Sequence, residues 1–112
     1  MTMHEFEAEL GEWFPLVKHL YDTDLMRGIF EKMERDVRVL QPVRADVFRA
    51  FRLTKPREVK VVILGQDPYP FGQADGLAFS SKTNCPYSLE MIHMELRKEG
   101  FGDRVPNSLD GW

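Results

Sequence analysis

The stretch VKVVILGQDPYP, residues 59–70, joins an apolar run to a stiff polar loop, and it decides the predicted fold. Residues 59–64 are rich in β-branched side chains and almost wholly apolar, which is typical of a strand buried on both faces of a parallel sheet. Gly65 ends the run and permits close backbone approach or an unusual φ. The loop that follows would lie at the carboxyl end of the strand, where open α/β sheets bind ligands.

The residues before this strand predict helices. Asp22, Thr23 or Asp24 could cap the second of them, and Gln41-Pro42 would end it, because a residue before proline avoids the helical region. Residues 45–51 predict a further short helix. The apolar side chains that recur at helical spacing are Phe14, Val17, Leu20 and Tyr21, followed by Leu25, Ile29, Met33, Val37 and Leu40.

After the loop, residues 77–80 predict a second short strand. Ser88 could cap a helix over residues 89–98, and Gly100 would mark the end of that helix. The expected fold class is therefore α/β, a partial three-layer sandwich with a short central parallel sheet flanked by helices, in one domain over residues 1–112. One strong strand and one weak strand are few for such a sheet, which suggests that the chain is part of something larger.

Composition excludes several classes of protein. The chain has 112 residues, enough for one hydrophobic core, and its net charge of −3 gives no overall basic field for nucleic acid. Cys85 is the single cysteine, so an internal disulfide and a thiolate zinc site are excluded, and a reducing compartment is favoured. The sequence has no apolar run of about 20 residues and no signal peptide, so we expect a soluble intracellular protein without membrane contact.

The polar loop carries the chemistry-bearing residues. A rigid loop with Gln66, Asp67 and Tyr69 offers a small polar ring an acceptor for a water proton, a hydrogen-bonding partner and a steric wall. Phe79, at the end of the second predicted strand, could stack on such a ring. The alternative is structural, because Asp-Pro-Tyr is a common turn composition and an aspartate after a strand often only caps the chain.

The order of these residues resembles a known family. VKVVILGQDPY followed by GQADGLAFS resembles the signature of family 1 uracil-DNA glycosylases, which reads GQDPYH and then a segment close to QAHGLAFS. PVRADVFRAFRLTKPREVK resembles the segment before their strand, CPYSLEMIHMEL resembles their proline-serine loop and following helix, and PNSLDGW is similar to a short segment that ends in tryptophan. The resemblance covers residues 42–112.

The resemblance implies a uracil-DNA glycosylase-like fold and hydrolysis of the N-glycosidic bond of deoxyuridine in DNA, as in base-excision repair, without metal or cofactor. It implies that Asp67 orients the attacking water and supports an oxocarbenium-like sugar. The remaining implied roles are uracil contact by Gln66, exclusion of the thymine methyl by Tyr69, stacking by Phe79, pocket lining by Gln73 and Ala74, and DNA-phosphate contact by Ser88.

Three positions depart from the family's pattern. Pro70 replaces a histidine, which removes a hydrogen-bonding side chain beside Tyr69. Asp75 stands where the family often has histidine, and it is expected to add negative charge near the path of the phosphates. Glu90-Met91 precedes Ile92 where the family usually has an asparagine, a minor change.

Length is the largest departure. Family members are roughly twice as long, and their later half carries an asparagine that reads the uracil edge and a histidine that stabilises the uracil anion. His4, His19 and His93 do not lie in the context of that catalytic histidine. We expect His93 to lie on a surface or helix face.

Two interpretations stay open. The chain is either the N-terminal part of a uracil-DNA glycosylase, or a catalytically deficient half-glycosylase that binds DNA or protein, for instance in a viral or replication complex. In the second case a second copy or a protein partner would cover the missing half. Under either interpretation the expected location is intracellular and cytoplasmic, or nuclear in a host cell if the protein is viral. The locally basic region over residues 44–60 could serve DNA phosphates or be an ordinary surface. Cys85 is expected to be inert.

Overall fold

A computed structural model describes residues 1–101 and 106–111. The α-helices of these residues are α1 (Met3–Leu10), α2 (Phe14–Val17), α3 (Asp24–Arg35), α4 (Arg49–Leu53) and α5 (Tyr87–Lys98). Short 3₁₀ turns occupy Gly11–Trp13, Lys18–Leu20, Arg44–Asp46 and Pro56–Glu58. Over the described residues there is no β-strand, and only an isolated antiparallel bridge joins Ala74 to Ser81. None of the described helices is both long and apolar enough to cross a bilayer.

An aromatic cluster holds the N-terminal helices together. Phe6 is buried at its centre, with ring-centroid distances of 5.4 Å to Tyr21 and 5.7 Å to both Phe30 and Phe48. The Phe30 and Phe48 rings meet that of Phe6 nearly edge-on, the arrangement that the ring quadrupoles favour. Because Phe48 lies just before α4, this cluster connects the N-terminal helices to the helix that faces the loop region.

Helix α3 begins where the sequence predicts, but it ends before the predicted residue. Thr23 is its N-cap, and its hydroxyl accepts from the Met26 N–H at 3.3 Å. The helix stops at Arg35, so the predicted extension to Leu40 is wrong. Asp36 leaves the helical region and accepts from the backbone N–H and guanidinium of Arg38, a local bond that competes with helix formation. These bonds lower the pKa of Asp36 to about 2.

The predicted central strand is not present among the described residues. Residues 59–64 have no regular secondary structure, and the predicted burial is wrong too, because Val61, Val62, Ile63 and Leu64 are 61 to 92 % exposed. A strand requires backbone partners, and no backbone hydrogen bond joins residues 60–68 to any other described residue. Residues 77–80 form a turn instead of a second strand, closed by the Ser80 N–H and the Leu77 carbonyl at 3.1 Å.

Helix α5 is predicted correctly in kind and at its C-terminus. Gly100 has a φ of +82°, and the N–H groups of Gly100 and Phe101 donate to the carbonyls of Arg97 and Leu96. This pair of bonds is the glycine-terminated C-cap that the sequence indicates. The predicted N-cap is wrong. Pro86 occupies that position, and Ser88 lies inside the first turn with its hydroxyl directed elsewhere.

Gly76, and not Gly65, is the glycine that the packing requires. Its φ is +91°, and a Cβ atom added there would lie 2.1 Å from the Asp46 carbonyl oxygen and 2.9 Å from the Arg49 Cβ. At Gly65 the nearest atom to an added Cβ is the Ala78 Cβ at 4.0 Å. The close approach predicted at Gly65 therefore occurs at Gly76, where residues 74–80 meet the start of α4.

We expect Gly76→Ala to lower the free energy of unfolding by about 2 kcal/mol or more, because it adds a clash to a left-handed φ. Gly72→Ala is the matched control, since Gly72 has a φ of +75° with open space around it. Gly72→Ala should lower the free energy of unfolding only by the conformational strain, roughly 1 kcal/mol. Urea denaturation of the variants measures both. Equal losses at the two positions would show that Gly76 is not tightly packed.

Candidate active site

A cavity of about 540 Å³ opens between the loop after the predicted strand and residues 74–80. Helix α5 contributes to its wall from its first turn, and α4 contributes from its N-terminal half. The cavity gathers most of the site residues that the sequence predicts into one lining, although they lie more than twenty positions apart along the chain. These residues are Gln66, Asp67, Tyr69, Ala74, Phe79 and Ser88.

Gln73 is the predicted site residue that the structure does not bring to this lining. Its side-chain amide donates to the Asn84 Oδ1 at 2.8 Å, and its backbone carbonyl accepts from the Lys82 N–H at 2.9 Å. Both bonds hold the Gln73 backbone and side chain against residues 82–84. Gln73 therefore contributes to the shape of the loop.

Tyr69, Phe79 and Ser88 are joined by hydrogen bonds. The Tyr69 phenol donates to the Phe79 carbonyl at 3.3 Å and lies 2.8 Å from the Ser88 hydroxyl oxygen. Since the phenol has one proton, its oxygen accepts from Ser88 when that proton is directed at Phe79. Three segments distant in sequence are thus fixed around one phenol oxygen, which orients the aromatic wall of the cavity.

Phe79 adopts a backbone conformation that is uncommon for a residue with a side chain. Its φ is +64°, in the left-handed region that costs a non-glycine residue roughly 1–2 kcal/mol. The bond from Tyr69 to the Phe79 carbonyl and the turn from Leu77 to Ser80 hold this conformation. Such strain persists where the surroundings impose it, and it is concentrated at binding and catalytic sites.

Asp67 stands at the open side of the cavity. Its side chain is exposed, and it forms no ion pair or hydrogen bond with another described residue. Pro68 and Pro70 follow Asp67 and restrict the backbone of this part of the loop. The carboxylate is therefore available to accept a proton or a hydrogen bond from a water molecule in the cavity.

The expectation that Asp75 adds negative charge near the path of the phosphates is wrong. Its side chain is only 2 % exposed, and its carboxylate lies 3.3 Å from the Arg49 guanidinium. It also accepts from the Ser80 hydroxyl and, at 3.2 Å, from the Leu77 N–H. The charge is neutralised inside the protein, where it ties the Phe79 turn to α4.

The described part of the C-terminal segment packs behind this turn. The Leu109 N–H donates to the Ser80 hydroxyl and the Asn107 carbonyl accepts from the Ser81 N–H, both at 2.9 Å. Asp110 adds a weaker contact to Arg49 at 3.4 Å. Phe101 and residues 106–111 have no helix or strand, and residues 102–105 and Trp112 lie outside the described residues.

Three of the six basic side chains in the locally basic region pair with acidic neighbours. Arg52 pairs with Glu9, Arg57 lies 3.6 Å from Glu12, and Arg49 pairs with Asp75. These pairs favour the ordinary-surface interpretation of that region over a free phosphate-binding patch.

The buried His93 of α5 lies next to the half-buried Cys85. His93 is 6 % exposed, so the expected surface position is wrong. Its Nδ1 lies 3.8 Å from the Cys85 Sγ, a basic neighbour that the sequence did not reveal, while its Nε2 has no hydrogen-bonding partner among the described residues. Burial, with a smaller contribution from Glu90, raises the pKa of the Cys85 thiol, which makes the reactive thiolate scarce.

The sequence pattern did not indicate the apolar lining of the cavity. This lining comes from separate segments, and the motifs that carry the family resemblance assigned no role to these apolar residues. Within the described ranges, no cluster of three or more His, Cys, Asp or Glu side chains is arranged to hold a metal ion. The missed lining residues include Pro42, Val47, Ala50, Ile63, Leu64, Leu77 and Ala78.

The chain is similar to curated proteins named uracil-DNA glycosylase. It is 42 % identical to the one from Bacillus pumilus over 107 residues, 89 % of this chain. It is 51 % identical to one from Neisseria gonorrhoeae over 79 residues, 66 % of this chain. The protein from human herpesvirus 7 is 36 % identical over 102 residues, 84 % of this chain. This chain belongs to the uracil-DNA glycosylase family.

Membership of the uracil-DNA glycosylase family rests on these pairwise similarities, since no protein-family model and no solved structure matches the chain. The chain spans less than half the length of the three relatives, namely 47 %, 36 % and 40 %. The uracil-DNA glycosylase relatives imply an α/β fold, and the helices of this chain fit it. The central parallel sheet of the predicted fold class is not confirmed over the described residues.

We expect Asp75→Asn to lower the free energy of unfolding by about 2–3 kcal/mol, because Arg49 loses its buried counter-charge. Asp110→Asn is the matched control. Its carboxylate is about half exposed and also contacts Arg49, so the loss should stay below about 1 kcal/mol. Thermal unfolding at neutral pH measures both. Losses of the same size would contradict a structural role for Asp75.

Proposed function

We propose that this chain supplies the water-orienting and ring-stacking wall of a uracil pocket, in a uracil-DNA glycosylase that hydrolyses the N-glycosidic bond of deoxyuridine. The observation that carries the proposal is the shared cavity, into which six of the seven residues assigned by the resemblance are gathered. A cavity of about 540 Å³ lies within the range of small-ligand pockets and has room for a pyrimidine ring.

The proposed chemistry follows from the positions of three side chains. A deoxyuridine must leave the base stack before its sugar carbon can be reached. Phe79 would stack on the flipped ring, and the Tyr69 ring, fixed through Phe79 and Ser88, would occupy the space that a 5-methyl group needs. Asp67 would accept a proton or hydrogen bond from the attacking water and stabilise positive charge on the sugar as uracil departs.

Two further roles are part of the proposal. Gln66 would contact the edge of the uracil ring from the same loop, and Ala74 would line the pocket floor, where it is buried. Ser88 would contact a DNA phosphate near the N-terminus of α5, whose free N–H groups favour an anion. In the structure its hydroxyl is bonded to Tyr69, so phosphate contact and the orientation of Tyr69 would be coupled.

A second candidate function is that of a catalytically deficient protein that binds DNA or another protein. The exposure of residues 61–64 beside the cavity favours it, because a finished pocket would not leave its apolar border in water. The two candidates differ in whether Asp67 matters for turnover.

We expect free uracil to shift the backbone amide NMR signals of residues 65–69 and 77–80, and thymine to shift them much less. In Tyr69→Ala the two bases should give similar shifts, because the steric wall is gone. Tyr87→Ala is a matched control, since Tyr87 is exposed in the same helix turn as Ser88 and does not line the cavity. Equal responses to uracil and thymine in the unmodified chain would contradict the pocket assignment.

We expect uracil release from single-stranded uracil-containing DNA to fall at least about a hundredfold in Asp67→Asn, the effect typical of losing a positioned carboxylate. Asp24→Asn makes the same chemical change at an exposed site in α3 and should leave the rate unchanged. High-performance liquid chromatography of released uracil measures both. Release that is equal in the unmodified chain and Asp67→Asn would contradict the role of Asp67. No release from the folded chain would favour the binding function over catalysis.

A further inference from the structure

Phe71 is the most exposed aromatic side chain among the described residues, with 91 % of its surface in contact with water. It lies two positions after Tyr69, which lines the candidate pocket, so the backbones of these two residues are at most about 7 Å apart. Phe71 itself is not part of the cavity lining. Its phenyl ring therefore stands in water on the loop that borders the proposed uracil pocket.

The turn that carries this ring is unfavourable for phenylalanine. The Gln73 N–H donates to the Pro70 carbonyl at 3.2 Å, which closes a four-residue turn. Both central residues have a positive φ, +58° at Phe71 and +75° at Gly72, and this is the pattern of a type I′ turn. The first central position of such a turn favours Asn, Asp or Gly, because other side chains are strained there. Phe71 therefore adds conformational strain to the fold.

Packing does not compensate for this strain. A ring with so little buried surface contributes almost nothing to stability through the hydrophobic effect. Phe79 is the other described residue that combines a side chain with a positive φ, and it lines the cavity. Since strained conformations are concentrated at binding and catalytic sites, the conformation of Phe71 indicates a contact with a ligand.

Side-chain hydrogen bonds hold the turn on two sides. The Gln41 Oε1 accepts from the Gly72 N–H at 3.2 Å, and the Gln73 side-chain amide donates to the Asn84 Oδ1 at 2.8 Å. A turn that is fixed before binding presents its ring to a ligand with a smaller loss of conformational entropy.

The position of the ring beside the pocket indicates which ligand it contacts. With a flipped deoxyuridine in the cavity, as proposed above, the adjoining nucleotides of the strand lie next to the loop that carries Phe71. Aromatic side chains bind the π-face of any base, and single strands leave these faces accessible. The net charge of −3 gives the chain little overall attraction for phosphates, so contacts to the bases matter more.

We propose that Phe71 stacks on the base next to the flipped deoxyuridine in single-stranded DNA. The proposal rests on the proposed function for the position of the DNA strand. It adds to the uracil pocket a second position, outside the cavity, that binds a base without regard to its identity.

The test is the affinity of the chain for a single-stranded oligonucleotide, measured by fluorescence anisotropy. Its one deoxyuridine has a 2′-fluorine, which slows hydrolysis because it destabilises the positively charged sugar. We expect Phe71→Ala to weaken binding about tenfold and Phe71→Trp to retain the affinity. Phe101→Ala is the matched control and should bind normally. Phe101 is also exposed, but it follows the far end of α5, a helix of 12 residues or about 18 Å whose first turn lines the cavity.

A second oligonucleotide keeps the sugar-phosphate backbone but lacks the bases on both sides of the deoxyuridine. Phe71→Ala and the unmodified chain should bind it equally, because the ring then has no base to contact. Phe71→Asn should raise the urea midpoint of unfolding, since Asn suits this turn position, and still weaken binding of the first oligonucleotide about tenfold. A merely structural role of Phe71 would not give higher stability together with lower affinity.

Either of two results would overturn the inference. One is that the folded chain does not bind the first oligonucleotide, or that Phe71→Ala binds it as tightly as the unmodified chain does. The other is an equal loss of affinity for both oligonucleotides, because the ring would then contact the DNA backbone. The response of the amide NMR signals to free uracil should be unchanged in Phe71→Ala. Loss of that response in the unmodified chain, with an affinity that still depends on Phe71, would contradict the uracil pocket alone.

Discussion

The buried pair between Asp75 and Arg49 is the contact on which the site depends. It joins the turn that carries Phe79 to helix α4, which the aromatic cluster around Phe6 holds against the N-terminal helices. The Asp75 carboxylate also accepts from Ser80, whose hydroxyl in turn accepts from the Leu109 N–H. Removal of this charge would leave a cation inside the protein and free three segments at once.

Short-range contacts hold the wall of the candidate pocket that the Asp75–Arg49 pair supports. A left-handed φ at Phe79, two prolines beside Asp67 and a phenol bonded to both Phe79 and Ser88 hold the side chains of one wall. Side chains that are held in this way can position a water molecule and a ring at a smaller cost in entropy. The other side of the cavity is apolar and open, and it continues into the exposed segment 61–64.

Sequence reasoning succeeded where local chemistry decides the outcome. The Thr23 cap, the Gly100 terminus and the gathering of the Asp67, Tyr69 and Phe79 side chains all follow from residues close in sequence or from the family resemblance. It failed where distant partners decide. Residues 59–64 have strand-forming side chains but no described partner, so propensity alone did not produce a strand. The buried state of Asp75 could not be predicted, because Arg49 lies 26 residues earlier.

Amide hydrogen exchange of the chain alone is the most direct test of the central claim. The claim is that the chain folds around the contact between Asp75 and Arg49, while residues 61–64 form no backbone hydrogen bonds. We expect the amides of residues 61–64 to exchange at the rate of an unstructured peptide. The amides of Ser81 and Lys82, which donate to Asn107 and Gln73, should be strongly protected, as should those in the middle of α5. Protection of residues 61–64 in a monomeric sample, equal to that of α5, would contradict the unpaired state of this segment.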